Sequence, residues 1–418
     1  VLSKVQAEPD PDKPGSFMRW IGNGRTIVNN KGNVVMQYEP YFSDTPAYES
    51  AKEIVETGVT PILYYDALGR NIRTEYPDGT FDKVEIHSWS AVGYGTGATV
   101  KESEWYRSRM ALDKNDLEYK AAVKSEVYAD VGSVSYIDCL GRPVATKVAD
   151  MMSFAELDLE GSLLSITDPR GIVVQRYEYD HLGRALYSCG PDNGRKWNFT
   201  DAQGNPVRTW NDRGIRVEYY YDEVRRPLMC KAVTDELKEG EKELDHIFAR
   251  WQYAESLLGR ESMESLQEKN LLGQVIAVWD TAGKVSTERY DFKGLPLLTE
   301  RRLTKTYKGM VNWTEDVLES ALDNEVFTGH VEVDALGRTV KEVSPDGTVL
   351  SSMYNRGGLM SKTTVHLSGE ASAKEYISGV TYNEKRQLCH MEYGNGIVTD
   401  YTYDKLTMMV REVESRRA

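Results

Sequence analysis

Tyr179-Asp180-His181-Leu182-Gly183-Arg184 is the stretch whose reading decides the fold, because the chain repeats it. It returns as Tyr65-Asp66-Ala67-Leu68-Gly69-Arg70, and its core returns as Asp138-Cys139-Leu140-Gly141-Arg142 and Asp334-Ala335-Leu336-Gly337-Arg338. Looser copies are Asp201-Ala202-Gln203-Gly204, Tyr221-Asp222, Tyr290-Asp291-Phe292-Lys293-Gly294, Tyr354-Asn355, Tyr382-Asn383 and Tyr403-Asp404. The interval is as telling as the phrase. Asp180, Asp201 and Asp222 are 21 residues apart, as are Asp334 and Asn355, and Asn383 and Asp404. Asp138 to Asp180 is 42, two periods, whereas Asp66 to Asp138 is 72, so something is inserted there. A fixed short period is the mark of an array of identical supersecondary units.

Each unit reads as a β-hairpin. Asp-x-x-Gly suits a type I turn, with Asp bonding its own backbone and Gly supplying the positive φ of a bulged hairpin. Asp66, Gly69, Arg70, Asp138, Gly141, Arg142, Asp180, Gly183, Arg184, Asp201, Gly204, Asp334, Gly337 and Arg338 are therefore assigned to turns. Between turns the sequence tends to alternate, as in Gly171-Ile172-Val173-Val174-Gln175-Arg176-Tyr177-Glu178-Tyr179, the pattern of half-buried strands. A second turn class, Pro77-Asp78-Gly79-Thr80, Pro191-Asp192-Asn193-Gly194 and Pro345-Asp346-Gly347-Thr348, opens the partner strand. Two turns per period leave strands of about six to eight residues.

Composition agrees with many strands: 26 Tyr against 8 Phe, 34 Gly and 14 Pro in 418 residues. A chain of this length exceeds one ordinary core, a limit that repeat arrays escape because each unit packs only on its neighbours. The net charge of −14 argues against a nucleic-acid partner, which needs a basic stripe. There is no run of about 18 apolar residues, so no helical membrane span is expected. The start, Val1-Leu2-Ser3-Lys4, has neither an initiator Met nor a signal core, and reads as a piece of something longer.

The YDxxGR phrase at a period near 21 resembles the RHS/YD-repeat family, and within it the shell-forming component of insecticidal toxin complexes. The opening Gly22-Asn23-Gly24-Arg25 and Gln37-Tyr38-Glu39-Pro40-Tyr41, the segment Trp279-Asp280-Thr281-Ala282-Gly283 and the closing Tyr393-Gly394-Asn395-Gly396 are similar to that group. The resemblance implies an all-β fold: antiparallel hairpin repeats in a long curved ribbon, part of a hollow spiral shell, with short helical insertions. It implies encapsulation of a toxin or other cargo polypeptide and a secreted or extracellular setting. As partners it implies the remainder of the parent shell polypeptide, the enclosed cargo and a pore-forming delivery subunit. The family's self-cleaving core motif and its propeller gate find no match, so autoproteolysis is carried onto no residue.

The domain reading is an opening segment (1–45), a first repeat block (46–233, irregular at about 88–125), a helical insertion (234–269) and a second block (270–418). Ile247, Trp251, Tyr253, Leu257 and Leu258 have near-helical spacing and suggest one or two helices; 305–330 is a third irregular stretch. Candidate chemistry is sparse. Six scattered His lack metal spacing, and Cys139, Cys189, Cys230 and Cys389 lie far apart and read as buried small hydrophobes. Asp10-Pro11-Asp12-Lys13-Pro14-Gly15 reads as a terminal tail, not a calcium loop, since the bidentate acid is missing. No cofactor and no enzyme activity are expected. The alternatives are a surface adhesin or carbohydrate-binding module and, last, a glycoside hydrolase, for which the periodic Asp residues would have to converge in a cleft.

Overall fold

The computed structural model describes residues 3–10, 18–49, 60–234 and 243–417. Among them the chain forms one antiparallel ribbon of twenty-eight strands, running from Thr26–Val28 to Val410–Arg417. Each strand pairs with the one before and the one after it, as Val173–Tyr179 does with Leu163–Thr167 and Ala185–Gly190. The first and last strands have a single partner each, so the sheet is open. A separate three-stranded sheet, Ser3–Pro9, Met18–Asn23 and Tyr41–Ser43, stands at the start. The all-β hairpin ribbon is thus as the sequence indicates, and it begins inside the opening segment, at Thr26.

The hairpin geometry follows from the phrase. Before nearly every Asp turn the register slips by one residue, at Tyr64/Tyr65, Glu178/Tyr179, Tyr220/Tyr221 and Glu332/Val333. The Gly183 N–H donates to the Asp180 carbonyl at 3.0 Å, and the Asp180 N–H to the Arg184 carbonyl at 2.9 Å. Gly183 has φ +74°, which completes a type I turn with a glycine bulge. The Tyr-Asp phrase turns fall on one rim of the ribbon; the Pro-Asp-Gly turns, such as Tyr76–Gly79 and Ser344–Gly347, and the Asp168–Gly171 turn fall on the other.

The ribbon curls until its two ends meet. Lys385, in the Asn383 turn, pairs with Glu39 at 3.1 Å, and the Arg356 N–H donates to the Glu8 carboxylate at 3.2 Å. Leu406–Met409 share a hollow of about 430 Å³ with Tyr76, Pro77 and Pro61. The Asp-turn rim of the last hairpins therefore abuts the opposite rim of the first ones. Twenty-three strands separate the Tyr76–Gly79 turn from the Asp404–Met408 turn. At a strand spacing of about 4.8 Å, that is a circuit of roughly 110 Å and a diameter near 35 Å.

The interruptions differ from expectation in detail. The first spans 95–132, after the strand Ser90–Tyr94, instead of 88–125, and holds two helices, Glu104–Met110 and Leu117–Ser125. Ser103 and Asp116 cap them, accepting from the N–H groups of Tyr106 and Glu118. This insertion accounts for the 72-residue gap. Within 234–269, Asp245–Tyr253 is a strand, not a helix; only Met263–Glu268 is α-helical, and 235–242 lie outside the described residues. The strand's alternation is masked because both faces are covered: Ile247 packs under the third insertion, while His246 is buried on the other face. That third insertion, 304–326, has no helix. It folds around the fully buried Trp313, whose indole N–H donates to the Asp280 carbonyl at 2.9 Å. Asp10 is described, but most of the Asp10–Gly15 tail is not.

Candidate functional site

The assigned turn residues act as a linked set. The Asp180 Oδ1 accepts from the N–H groups of Leu182 and Arg184, each at 2.9 Å, and Oδ2 accepts from Arg184 Nε at 2.6 Å. Asp66–Arg70, Asp138–Arg142 and Asp334–Arg338 repeat this arrangement. Asp201 has Asn205 in the arginine's place. These bonds hold the carboxyls below the usual range, with the backbone N–H of the arginine the largest cause at Asp66, Asp138 and Asp180, and the arginine side chain at Asp334. Gly69, Gly141, Gly204 and Gly337 all have positive φ.

The arginine also reaches forward. Arg142 Nη1 donates to the Asp158 carbonyl of the next turn at 3.0 Å, and Arg184 Nη1 to that of Asp201 at 2.6 Å. The tyrosine reaches back. The hydroxyls of Tyr65, Tyr179, Tyr221, Tyr290, Tyr354, Tyr382 and Tyr403 donate to the carbonyls of Val34, Leu163, Pro206, Val275, Thr339, Met360 and Leu388, at 2.6–2.8 Å. Each of those carbonyls opens the preceding strand. The complete phrase Tyr179–Arg184 therefore closes its own turn with Asp and Gly and ties its hairpin to both neighbours with Tyr and Arg. Asn29–Gly32, Asp158–Gly161 and Tyr253 escape the sequence pattern. Asp158–Gly161 is a full turn lacking both the aromatic and the arginine. Tyr253 makes the backward bond, to Pro227, with no aspartate after it, and Arg226 lies 4.1 Å over its ring.

The two faces of the ribbon differ sharply. Across the ten strands from Ser133–Ile137 to Pro227–Thr234, cross-strand register places nine of the ten charged side chains on one face. They include Lys147, Arg176, Glu178, Arg208, Glu218 and Lys231; Lys196 alone lies opposite. The opposite face carries the phrase tyrosines with Val, Ile, Leu, Ser and Thr, all half-buried or exposed since no second layer covers them. A hollow of about 400 Å³ there is bordered by Tyr177, Leu186, Ser188, Thr209 and Val217. The 304–326 insertion sits on the charged face, where Glu319 bridges Lys284 and Arg302. That face also holds a row of Tyr187, Trp197 and Trp210, the two indoles stacked at 6.2 Å and 9°.

The scattered candidates stay scattered. Among the described residues no three His, Cys, Asp or Glu side chains come together as a metal cluster, and no helix is long and apolar enough to cross a membrane. Of the four cysteines only Cys230 is buried; Cys139 is exposed, because it occupies a turn rather than a strand.

No family model matches the chain. Two curated relatives from Yersinia entomophaga do: toxin subunit YenC2, 24% identical over 66% of this chain, and toxin subunit YenC1, 22% identical over 65%. The chain spans only 30% and 28% of those subunits. Among solved structures, the TcdB2-TccC3-Cdc42 crystal structure aligns over the whole chain and 20% of its own, with TM-score 0.83 and 22% identity. The Photorhabdus luminescens Tc holotoxin pore gives TM-score 0.84 at 22% identity, with the same coverage. The fold is that of a toxin-complex RHS ribbon, and the resemblance read from the YDxxGR phrase holds.

Proposed function

We propose that this chain, an RHS/YD-repeat ribbon akin to those of toxin-complex subunits, is a structural wall segment whose tyrosine face lines a cavity holding a cargo polypeptide. The observation that carries the reading is the segregation of charge. A bare face of hydroxyl and aliphatic groups offers an extended polypeptide weak, sequence-tolerant contact without ion pairs, while the charged face suits water. The insertions 95–132 and 304–326 pack on the charged face, whereas the helix Met263–Glu268 packs through Leu266 against Ile276 and Tyr290 on the tyrosine face, which is bare over the ten strands before it. The partners are then the rest of a parent shell, the enclosed cargo and a delivery pore, in a secreted setting. No hydrolysis is assigned, because the periodic aspartates are saturated by their own turns.

A photo-crosslinking residue tests this reading. Placed at Ser188 on the tyrosine face, it is expected to capture a co-expressed unfolded polypeptide; placed at Glu178 on the charged face, it is expected to capture none. Equal capture from both faces would remove encapsulation. The Trp197–Trp210 row favours the second reading, carbohydrate binding. Its rings already stack on one another and Arg195 lies 5.7 Å over Trp197, as cross-strand pairs do. Binding on a glycan array that disappears in Trp210→Ala would favour it.

A further inference from the structure

Over the ten strands from Ser133–Ile137 to Pro227–Thr234 the tyrosine face carries one charged side chain, Lys196. It is exposed, stands between Ser188 and Asn211 in the cross-strand register, and among the described residues its side chain has no hydrogen bond or ion pair. No carboxylate shares the face within those strands, whereas on the charged face Arg208 and Arg216 share Glu218. Lys196 borders the hollow of about 400 Å³ together with Tyr177, Ser188, Asn198 and Thr209. The three hydroxyls there are unpaired among the described residues, and the Asn198 carbonyl is buried without a hydrogen-bond partner. Buried amide groups in native structures are nearly always bonded, so an unsatisfied one beside a free cation marks a place with polar capacity to spare. A turn about the broad χ2 of Asn198 would present its amide to an occupant.

We propose that this hollow is a seat for an acidic side chain, Asp or Glu, of the enclosed polypeptide, with Lys196 Nζ as its counter-charge and the Ser188 hydroxyl and Asn211 amide beside it. The argument is charge complementarity. A free ammonium among neutral donors fits an anion that accepts several hydrogen bonds, which a carboxylate does and an uncharged side chain does not. The ammonium is a point charge on a flexible stem, so the seat selects charge and tolerates the sequence around it. One such seat on an otherwise uncharged stretch would hold a passing chain at a point without gripping it along its length. The proposal deepens the encapsulation reading and rests on it for the source of the carboxylate.

The probes are two labelled, unstructured peptides, alike except that the glutamates of one are glutamines in the other, titrated by fluorescence anisotropy against the purified chain. The chain carries a net charge of −14, so it repels an acidic peptide as a whole, and a preference for that peptide needs a local cation. The glutamate peptide is expected to bind about three- to tenfold more tightly, and Lys196→Gln to erase the preference. Lys147→Gln removes the same charge from the opposite face, where Lys147 is also unpaired among the described residues, and should leave the preference intact. Both variants should keep the parent circular dichroism spectrum, since neither side chain bonds to the rest of the fold. Carbodiimide coupling, which joins a carboxylate to an amine in direct contact, should link the glutamate peptide to Lys196 ahead of Lys147. Equal binding of the two peptides, a preference that survives Lys196→Gln, or one lost equally in Lys147→Gln would overturn the proposal. Capture at Ser188 without a glutamate preference would remove the seat and leave encapsulation standing; a preference that depends on Lys196, without capture of a co-expressed polypeptide at Ser188, would do the reverse.

Discussion

Valine at Gly183 probes the turn mechanism most directly. With φ +74° the backbone sits where side-chain-bearing residues are disfavoured, and an added Cβ would meet nothing within 4 Å. The penalty is therefore conformational alone: about 1–2 kcal/mol for alanine and up to about 3 kcal/mol for the β-branched valine. Gly79 has φ +83°, but its Cβ would lie 3.0 Å from Glu104 Cβ and 3.1 Å from the Trp105 nitrogen. Gly79→Val thus adds a steric cost of about 1–3 kcal/mol and transmits it into the helix Glu104–Met110. Gly161, with φ +100° in the turn that lacks the full phrase, belongs with Gly183. Hydrogen exchange is the assay, because an array with neighbour-only contacts opens locally. Protection should fall in Val173–Tyr179, Ala185–Gly190 and the adjoining strands for Gly183→Val, and in 95–132 also for Gly79→Val. Uniform loosening of the whole chain, or equal effects at the two glycines, would refute the reasoning.

Tyr290→Phe keeps a buried ring but deletes the hydroxyl bond to Val275 at 2.6 Å, so local stability around Val275–Asp280 should drop by about 0.5–1.5 kcal/mol in hydrogen exchange; no change would deny the backward tie a role. The turn aspartates have lowered folded-state pKa values, so their contribution is present above the ordinary carboxylate value near 4 and is lost as pH falls through the lowered one; amide shifts of Leu182 and Arg184 followed by NMR below pH 4 should report that loss. His390 behaves oppositely. Asp400 at 2.6 Å raises its pKa, so its contribution is complete below about pH 6.5 and is lost as pH rises through the raised value; protection factors in Leu388–Tyr393, corrected for base-catalysed intrinsic exchange, should fall over that rise, whereas constant protection would contradict the pairing.

The hairpin array was legible because Asp180, Gly183 and their repeats perform one local task, and local turn chemistry leaves a fixed signature. The Asp158 turn escaped because Leu157 and Ser162 stand where the phrase has Tyr and Arg, although Asp-x-x-Gly alone suffices for the turn. Asp245–Tyr253 was misread for a tertiary reason: apolar residues on both faces of a strand covered on both sides imitate a helical stripe. The forward reach of Arg184 and the backward reach of Tyr179 could not be read in advance, since each joins residues whose proximity depends on strand order. The one-sided placement of charge was written in the alternation itself, but only register shows that Arg176, Arg195 and Arg216 share a face across strands. The meeting of Lys385 with Glu39 depends on curvature, which no local pattern encodes.

Strands joined only to their sequence neighbours also decide how the ribbon responds to force. Tension applied between Thr26 and Arg417 runs across the strands, in the direction of the interstrand hydrogen bonds, so the ladders are loaded in series and the weakest yields first. The end hairpins, each held on one side, would peel before the middle. In an optical trap the chain would lengthen in small steps, about one hairpin at a time, and a wall made this way could be opened progressively from an end instead of failing at once.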